Sequence, residues 1–171
     1  MAVALAAGFA PPDRPNALAG LPLPNRVLIW SGRRLPFLAK MQFRMMSRLI
    51  NGSNTEKALR MLLSSVPDVD KTILQNHDIA TMLVTSIQEG YKDWHGPFQD
   101  GMLQVNPWYF DIRDIKTRVD IWQGDADVNV PLSSGQYLEK TLPNTRAFYL
   151  PGKGHFFILE NWAEVLQKLI E

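Results

Sequence analysis

Apolar residues in this chain follow two different periods, and the change of period divides it into parts. Ala2 to Ala10 is an almost unbroken apolar run closed by Pro11-Pro12. It predicts a strand buried on both faces, as in parallel sheets covered by helices. Arg118-Val-Asp-Ile-Trp-Gln123, stopped by Gly124, and Arg146-Ala-Phe-Tyr-Leu150, stopped by Pro151 and two glycines, also predict strands from their β-branched and aromatic content. Between the first strand and the second, the period becomes helical. Phe37, Leu38, Met41, Met45, Leu49 and Ile50 recur on one face with Lys40, Arg44 and Arg48 on another. This predicts an amphipathic helix from about 36 to 50, its methionines serving as adaptable core.

Start signals place the other helices. Ser53-Asn-Thr-Glu56 has capping-box spacing ahead of an apolar run, Ser65-Val-Pro-Asp68 repeats it, and Asn161-Trp-Ala-Glu164 opens a last helix striped with Trp162, Val165, Leu166, Leu169 and Ile170. Residues 79 to 92 predict another helix through Ile79, Met82, Leu83, Ile87 and Tyr91, and Gly96-Pro97 leads into one from about Phe98 to Val105. A helix follows Pro131, ending near Leu142. Residues 13 to 25, rich in Pro, Gly and Asn, read as a loop.

Two loops carry candidate chemistry. Gly124-Asp-Ala-Asp-Val-Asn-Val-Pro131 follows the second strand, and Pro151-Gly-Lys-Gly-His155 follows the third. Ligands of open α/β sheets bind outside the carboxyl ends of the strands, so Asp127 and His155 are delivered to where they can meet, the acid orienting the base. Asp125 reads as a turn residue, and as the fallback acid if the loop is built differently. His77 and His95 lack metal-ligand spacing, and Gly152-Lys-Gly154 is a turn because the rest of a phosphate loop is absent.

Gly124-x-x-Asp127-x-x-Val130-Pro131, a helix, a strand, then Gly154-His155 and a final amphipathic helix resemble the C-terminal part of the α/β-hydrolase superfamily. The resemblance is close over residues 110 to 171. It implies a partial α/β-hydrolase fold of about three parallel strands with covering helices, made of residues 1–12 and 107–171, and a helical cap inserted as residues 13–106. It makes Asp127 the triad acid and His155 the general base. No Gly-x-Ser-x-Gly elbow accompanies them: Ser31-Gly32, Gly52-Ser53 and Ser134-Gly135 each lack the second glycine. The nucleophile, Ser or Asp, is then expected in a missing N-terminal half.

The implied activity is hydrolysis of a small, largely apolar substrate, foremost a carboxylic ester, with Trp30, Phe43, Trp94, Phe98 and Trp108 as candidate substrate-binding residues and no metal or other cofactor. The alternative is a catalytically inactive truncated domain that binds or self-associates, because losing a triad nucleophile costs on the order of a millionfold in kcat. The expected partners are a small-molecule substrate and either a complementary N-terminal half or a second copy, joined through the first strand as an exposed sheet edge.

Composition narrows this further. The 171 residues are 46% apolar and 20% charged, ordinary for a globular domain, and zero cysteines exclude disulfides and thiolate metal sites. Eighteen basic against seventeen acidic residues with no long run of one sign offer no electrostatic argument for nucleic acid or membrane. The apolar N-terminus lacks the basic start of a signal peptide, so a cytoplasmic location is expected.

Overall fold

The computed structural model describes the backbone of all 171 residues and every side chain except that of Pro24. The described residues form two compact units, Met1–Pro22 with Pro107–Glu171, and Leu23–Asn106.

The first unit holds a three-stranded parallel sheet, β1 (Ala2–Ala6), β2 (Arg118–Gly124) and β3 (Thr145–Leu150), in the order β1-β2-β3. Ala2 pairs with Arg118 and Ala6 with Trp122, while Val119 pairs with Thr145 and Gly124 with Leu150. Alternation along β2 sends its residues to two cores. Val119 and Ile121 pack with Ala10, Ile112, Leu138 and Leu142, under α7 (Leu132–Thr141). Trp122 points to the opposite face, stacked on Phe148 at 4.2 Å, with Phe157 and with Val165 of α8 (Ile158–Leu169). Helices on both faces leave β2 buried from Val119 onward.

The other end of β2 is tied down by charge. Asp120 is fully buried and accepts from Arg146 Nε at 2.9 Å, and Arg118 Nε lies 3.3 Å from the same carboxylate. The two guanidinium groups also donate to the carbonyls of Lys168 and Leu169, so they connect the sheet to the last turn of α8 and satisfy carbonyls that a helix end leaves open. Hydrogen bonding to Arg146, more than any other cause, holds the Asp120 carboxyl below the usual carboxylate range.

The second unit is helical: α1 (Leu23–Arg34), α2 (Pro36–Asn51), α3 (Thr55–Ser65), α4 (Asp68–Ile73), α5 (His77–Gly90) and α6 (His95–Val105). A cavity of about 210 Å³ lies among Met46, Ile50, Met61, Leu62, Val84 and Ile87. Ser53 and Ser65, also on its wall, donate to the carbonyls of Leu49 and Leu62, so their hydroxyls are spent on their own helices.

Several expectations are corrected. The first strand stops at Ala6, four residues before the apolar run ends, because Ala7 turns to φ 48° and leaves the extended region. It is not buried on both faces, since Val3 is 46% exposed. Residues 13 to 22 belong with the sheet and not with the insertion, because buried Arg14 donates to Ser134 Oγ at 2.9 Å and lies over the Tyr137 ring. The loop expected through Asn25 gives way to α1 from Leu23.

The caps also differ. Asn54, not Ser53, caps α3 by accepting from Lys57 N at 2.9 Å, and Asn76 caps α5, which starts at His77, two residues ahead of the expected start. Pro67 precedes α4 without a side-chain cap. The last helix begins at Ile158, which puts the Asn161–Glu164 contact inside it. Most consequentially, most of the apolar stripe of α2 faces outward: Phe37, Met41, Met45 and Leu49 are exposed, and of the stripe only Ile50 is buried, with Ala39 and Ser47.

Asp120→Asn should lower stability by about 2 kcal/mol, less than the roughly 3–5 of a wholly buried broken pair because Arg146 is 35% exposed. A carboxyl lowered by folding contributes stability above its unfolded pKa of about 3.9, lost as pH falls through the lower folded value. Urea unfolding of the two proteins across that acid range should therefore converge, and a constant difference would show the loss to be steric.

Candidate active site

The site is built where two loops leave adjacent parallel strands. After β2 the chain turns at Gly124, and after β3 at Pro151-Gly152, where Gly152 takes φ 70°, a conformation natural to glycine. The loops are laced together: Asp125 N donates to Leu150 O, Ala126 N to Lys153 O at 3.1 Å, and Gly152 N to Asp125 Oδ1 at 2.7 Å. Asp125 is thus a strut between the loops and makes this contact instead of one to His155. A Cβ on Gly124 would fall 2.2 Å from the Lys153 carbonyl oxygen, so only glycine permits this closeness.

The lacing places His155 Nδ1 2.9 Å from Asp127 Oδ2. The Asp127 side chain is fully buried and its two oxygens have separate tasks. Oδ1 accepts from the backbone N–H groups of Asn129 and Val130 at 2.8 and 2.9 Å, which fixes the carboxylate within its own loop. Oδ2 faces the imidazole and also accepts from Gln123 Nε2 at 3.2 Å. Gln123 donates as well to Val130 O at 2.9 Å, bracing the loop from the strand beneath.

The imidazole is held from its own side. His155 opens a short 3-10 turn whose Phe157 is wholly buried in the α8-side core, while the His155 side chain keeps 30% exposure. A half-open imidazole with one nitrogen committed to a buried carboxylate can take and return a proton at the other. Carboxylate, imidazole and backbone donors are what the loops supply. Among the described residues no group of three or more His, Cys, Asp or Glu could hold a metal ion.

The other candidates lie elsewhere. Phe43, Trp94 and Phe98 meet within the helical unit, Phe98 edge-on to Phe43 at 5.9 Å and 5.8 Å from Trp94, with Arg44 and Lys40 over the Trp94 ring. Trp30 is 57% exposed on α1. Trp108 packs on the α7-side core and stacks on Phe110. His95 pairs with Asp93 at the start of α6. Ser31 and Ser134 lie inside helices and Ser53 in the turn after α2, so none stands on a strand-to-helix elbow.

Gln123 was not among the residues singled out from sequence. The signal available was a lone amide ending an apolar strand, directly before the glycine.

No family model and no curated protein sequence matches the chain. Solved structures do. An α/β-hydrolase enzyme from a Medee basin deep-sea metagenome library aligns over 99% of this chain and 56% of its own, with a TM-score of 0.52 at 14% identity. The fold is that of the α/β-hydrolases, in part. A 2-hydroxy-6-oxo-6-phenylhexa-2,4-dienoate hydrolase from Rhodococcus sp. strain RHA1 is also similar, with a TM-score of 0.51 and 19% identity over 99% of this chain and 53% of that one. A hydrolase from Oleispira antarctica gives 0.51 at 12% identity, covering 99% and 54%. The chain thus spans about half the length of these structures.

Gly124→Ala should cost about 3 kcal/mol, as overpacking against backbone does, and move the His155 ring resonances. Unchanged thermal unfolding and unchanged imidazole chemical shifts in that variant would show that the loops do not need their close approach.

Proposed function

We propose that this chain supplies the acid and base of a hydrolase that attacks a small, largely apolar substrate, foremost a carboxylic ester. The observation that carries the reading is the 2.9 Å contact of His155 with a carboxylate already held by two backbone N–H groups. In this mechanism a nucleophile on a complementary N-terminal segment attacks the carbonyl carbon. His155 takes the nucleophile's proton at Nε2 and returns it to the alcohol oxygen as the ester C–O bond breaks, then takes a proton from a water that attacks the acyl carbon and returns it to the nucleophile as the acid leaves; Asp127 fixes the tautomer and stabilises the imidazolium in both steps. Trp30, Phe43, Trp94, Phe98 and Trp108 are the candidate apolar contacts for the substrate. By itself the chain would be nearly inert.

A second reading, a binding or self-associating module, is favoured by the sheet. β1 pairs with β2 on one side only, so its other edge offers backbone donors and acceptors to a further strand. The same edge would receive the complementary half.

The test is to mix the 171-residue chain with a candidate N-terminal half bearing a Gly-x-Ser-x-Gly elbow and measure p-nitrophenyl ester hydrolysis. Turnover should appear only in the mixture and fall by about a millionfold with His155→Ala. Asp127→Asn should lower kcat by roughly 10⁴ through the wrong tautomer. Undiminished hydrolysis with His155→Ala places the base elsewhere, and an inert mixture that nevertheless forms a stable complex supports the binding module.

A further inference from the structure

From the outward faces of α1 and α2 we infer that this helical pair docks on an anionic lipid surface. Two observations, independent of the hydrolase reading, meet there. The first is exposure. Phe37, Met41, Met45 and Leu49, spaced four residues apart along α2, are 65%, 60%, 67% and 44% exposed. On α1, Leu23, Val27 and Trp30 are 70%, 54% and 57% exposed at helical spacing. The helices' inward sides are already occupied by Ser31 and Gly32 on α1 and by Ala39, Ser47 and Ile50 on α2. These stripes therefore remain bare after the unit has packed, and large apolar side chains left exposed in a row mark an interaction site.

The second observation is charge. No acidic residue occurs between Asp13 and Glu56, whereas α1 and α2 carry Arg26, Arg33, Arg34, Lys40, Arg44 and Arg48. The chain's net charge of +1 conceals this, because the balancing carboxylates lie outside the segment. On α2, Arg48 stands beside the apolar stripe together with Lys40 and Arg44, whose cations also lie over the Trp94 ring; on α1, Arg26 flanks Leu23 and Trp30 together with Arg33, which also donates to Val105 O.

Apolar residues with Trp and Phe toward one side and Lys and Arg beside them are the pattern of a helix lying in the plane of a bilayer interface, its apolar face about 5–10 Å into the headgroup boundary. No helix among the described residues is long and apolar enough to cross a membrane, so the contact is with the surface. Charge also decides against a second copy. A two-fold interface sets a patch against itself, so two helix pairs that carry no carboxylate of their own would meet basic side to basic side. Anionic headgroups supply the missing charge, and each Lys or Arg near such a surface strengthens binding roughly fivefold.

The test is co-sedimentation of the whole chain with vesicles of phosphatidylcholine and phosphatidylglycerol in equal parts, against vesicles of phosphatidylcholine alone. Binding should occur to the mixed vesicles only and be lost near 1 M salt, where the Debye length falls to about 3 Å. Arg26→Gln with Arg48→Gln should weaken it about 25-fold, two steps of roughly fivefold. Met41→Gln with Met45→Gln should weaken it about tenfold or more by removing buried apolar surface. Both pairs should keep the wild-type far-UV circular dichroism.

Failure of the folded chain to bind, equal binding to both vesicles, or indifference to both pairs overturns the inference. So does a dimer that the methionine pair dissolves while vesicles go unbound, which would assign the face to a second copy. Binding to polyglutamate without binding to vesicles would assign it to an acidic polypeptide and equally overturn it.

Discussion

The close passage of two loops over the end of β2 is the constraint on which the candidate site depends. Gly124 lets the Lys153 carbonyl approach to a distance that any Cβ would forbid, and three hydrogen bonds then hold the loops in that relation. Asp127 and His155 are 28 residues apart in sequence, yet each is fixed by its own short loop, so their contact needs no long side chain to reach across. Flexible residues would lose rotamer entropy on forming such a pair. Here the backbone has already brought the groups together.

β2 receives different chemistry at its two ends. At the start, Asp120 collects two arginines that also bind carbonyls at the end of α8. At the finish, Gln123 turns its amide toward Asp127 and Val130 while its Oε1 finds no partner among the described residues. A buried unsatisfied carbonyl is costly. A leucine there would avoid that cost but would leave the Asp127 carboxylate one donor poorer and its loop unbraced. The polar choice suits a strand that must both fill a core and position a charge.

What could be read from sequence was whatever local chemistry decides. The strands at 118–124 and 145–150 stand out because β-branched and aromatic runs end at glycine or proline, and the loop positions of Asp127 and His155 follow from those stops. Misreadings arose where two signals were adjacent and tertiary contacts chose between them. Ser53 and Asn54 are both capping residues, but Ser53 is drawn into a bond with Leu49 O, leaving the cap to Asn54. Pro11-Pro12 looked like the end of the first strand, yet the backbone had already turned at Ala7. Residues 13 to 22 carry no periodic signal, and tertiary contacts assign them to the sheet: Arg14 buried against Ser134 and Tyr137, and Gly20 close against Pro131.

The face of α2 illustrates a deeper limit. Periodicity gives the direction in which a helix is apolar, but it says nothing of what lies in that direction, because core, partner and lipid all select the same residues. Burial is what separates them. Ala39, Ser47 and Ile50, with Phe43 against Phe98, show that α2 packs through a different side, which leaves Phe37, Met41 and Met45 outside. A helix stabilised through its less apolar face retains its strongest hydrophobic surface for something else. With the charges that α1 and α2 themselves carry all of one sign, that surface is matched to an occupant that is both apolar and anionic, a combination an interfacial lipid layer provides and a copy of the same helix pair does not.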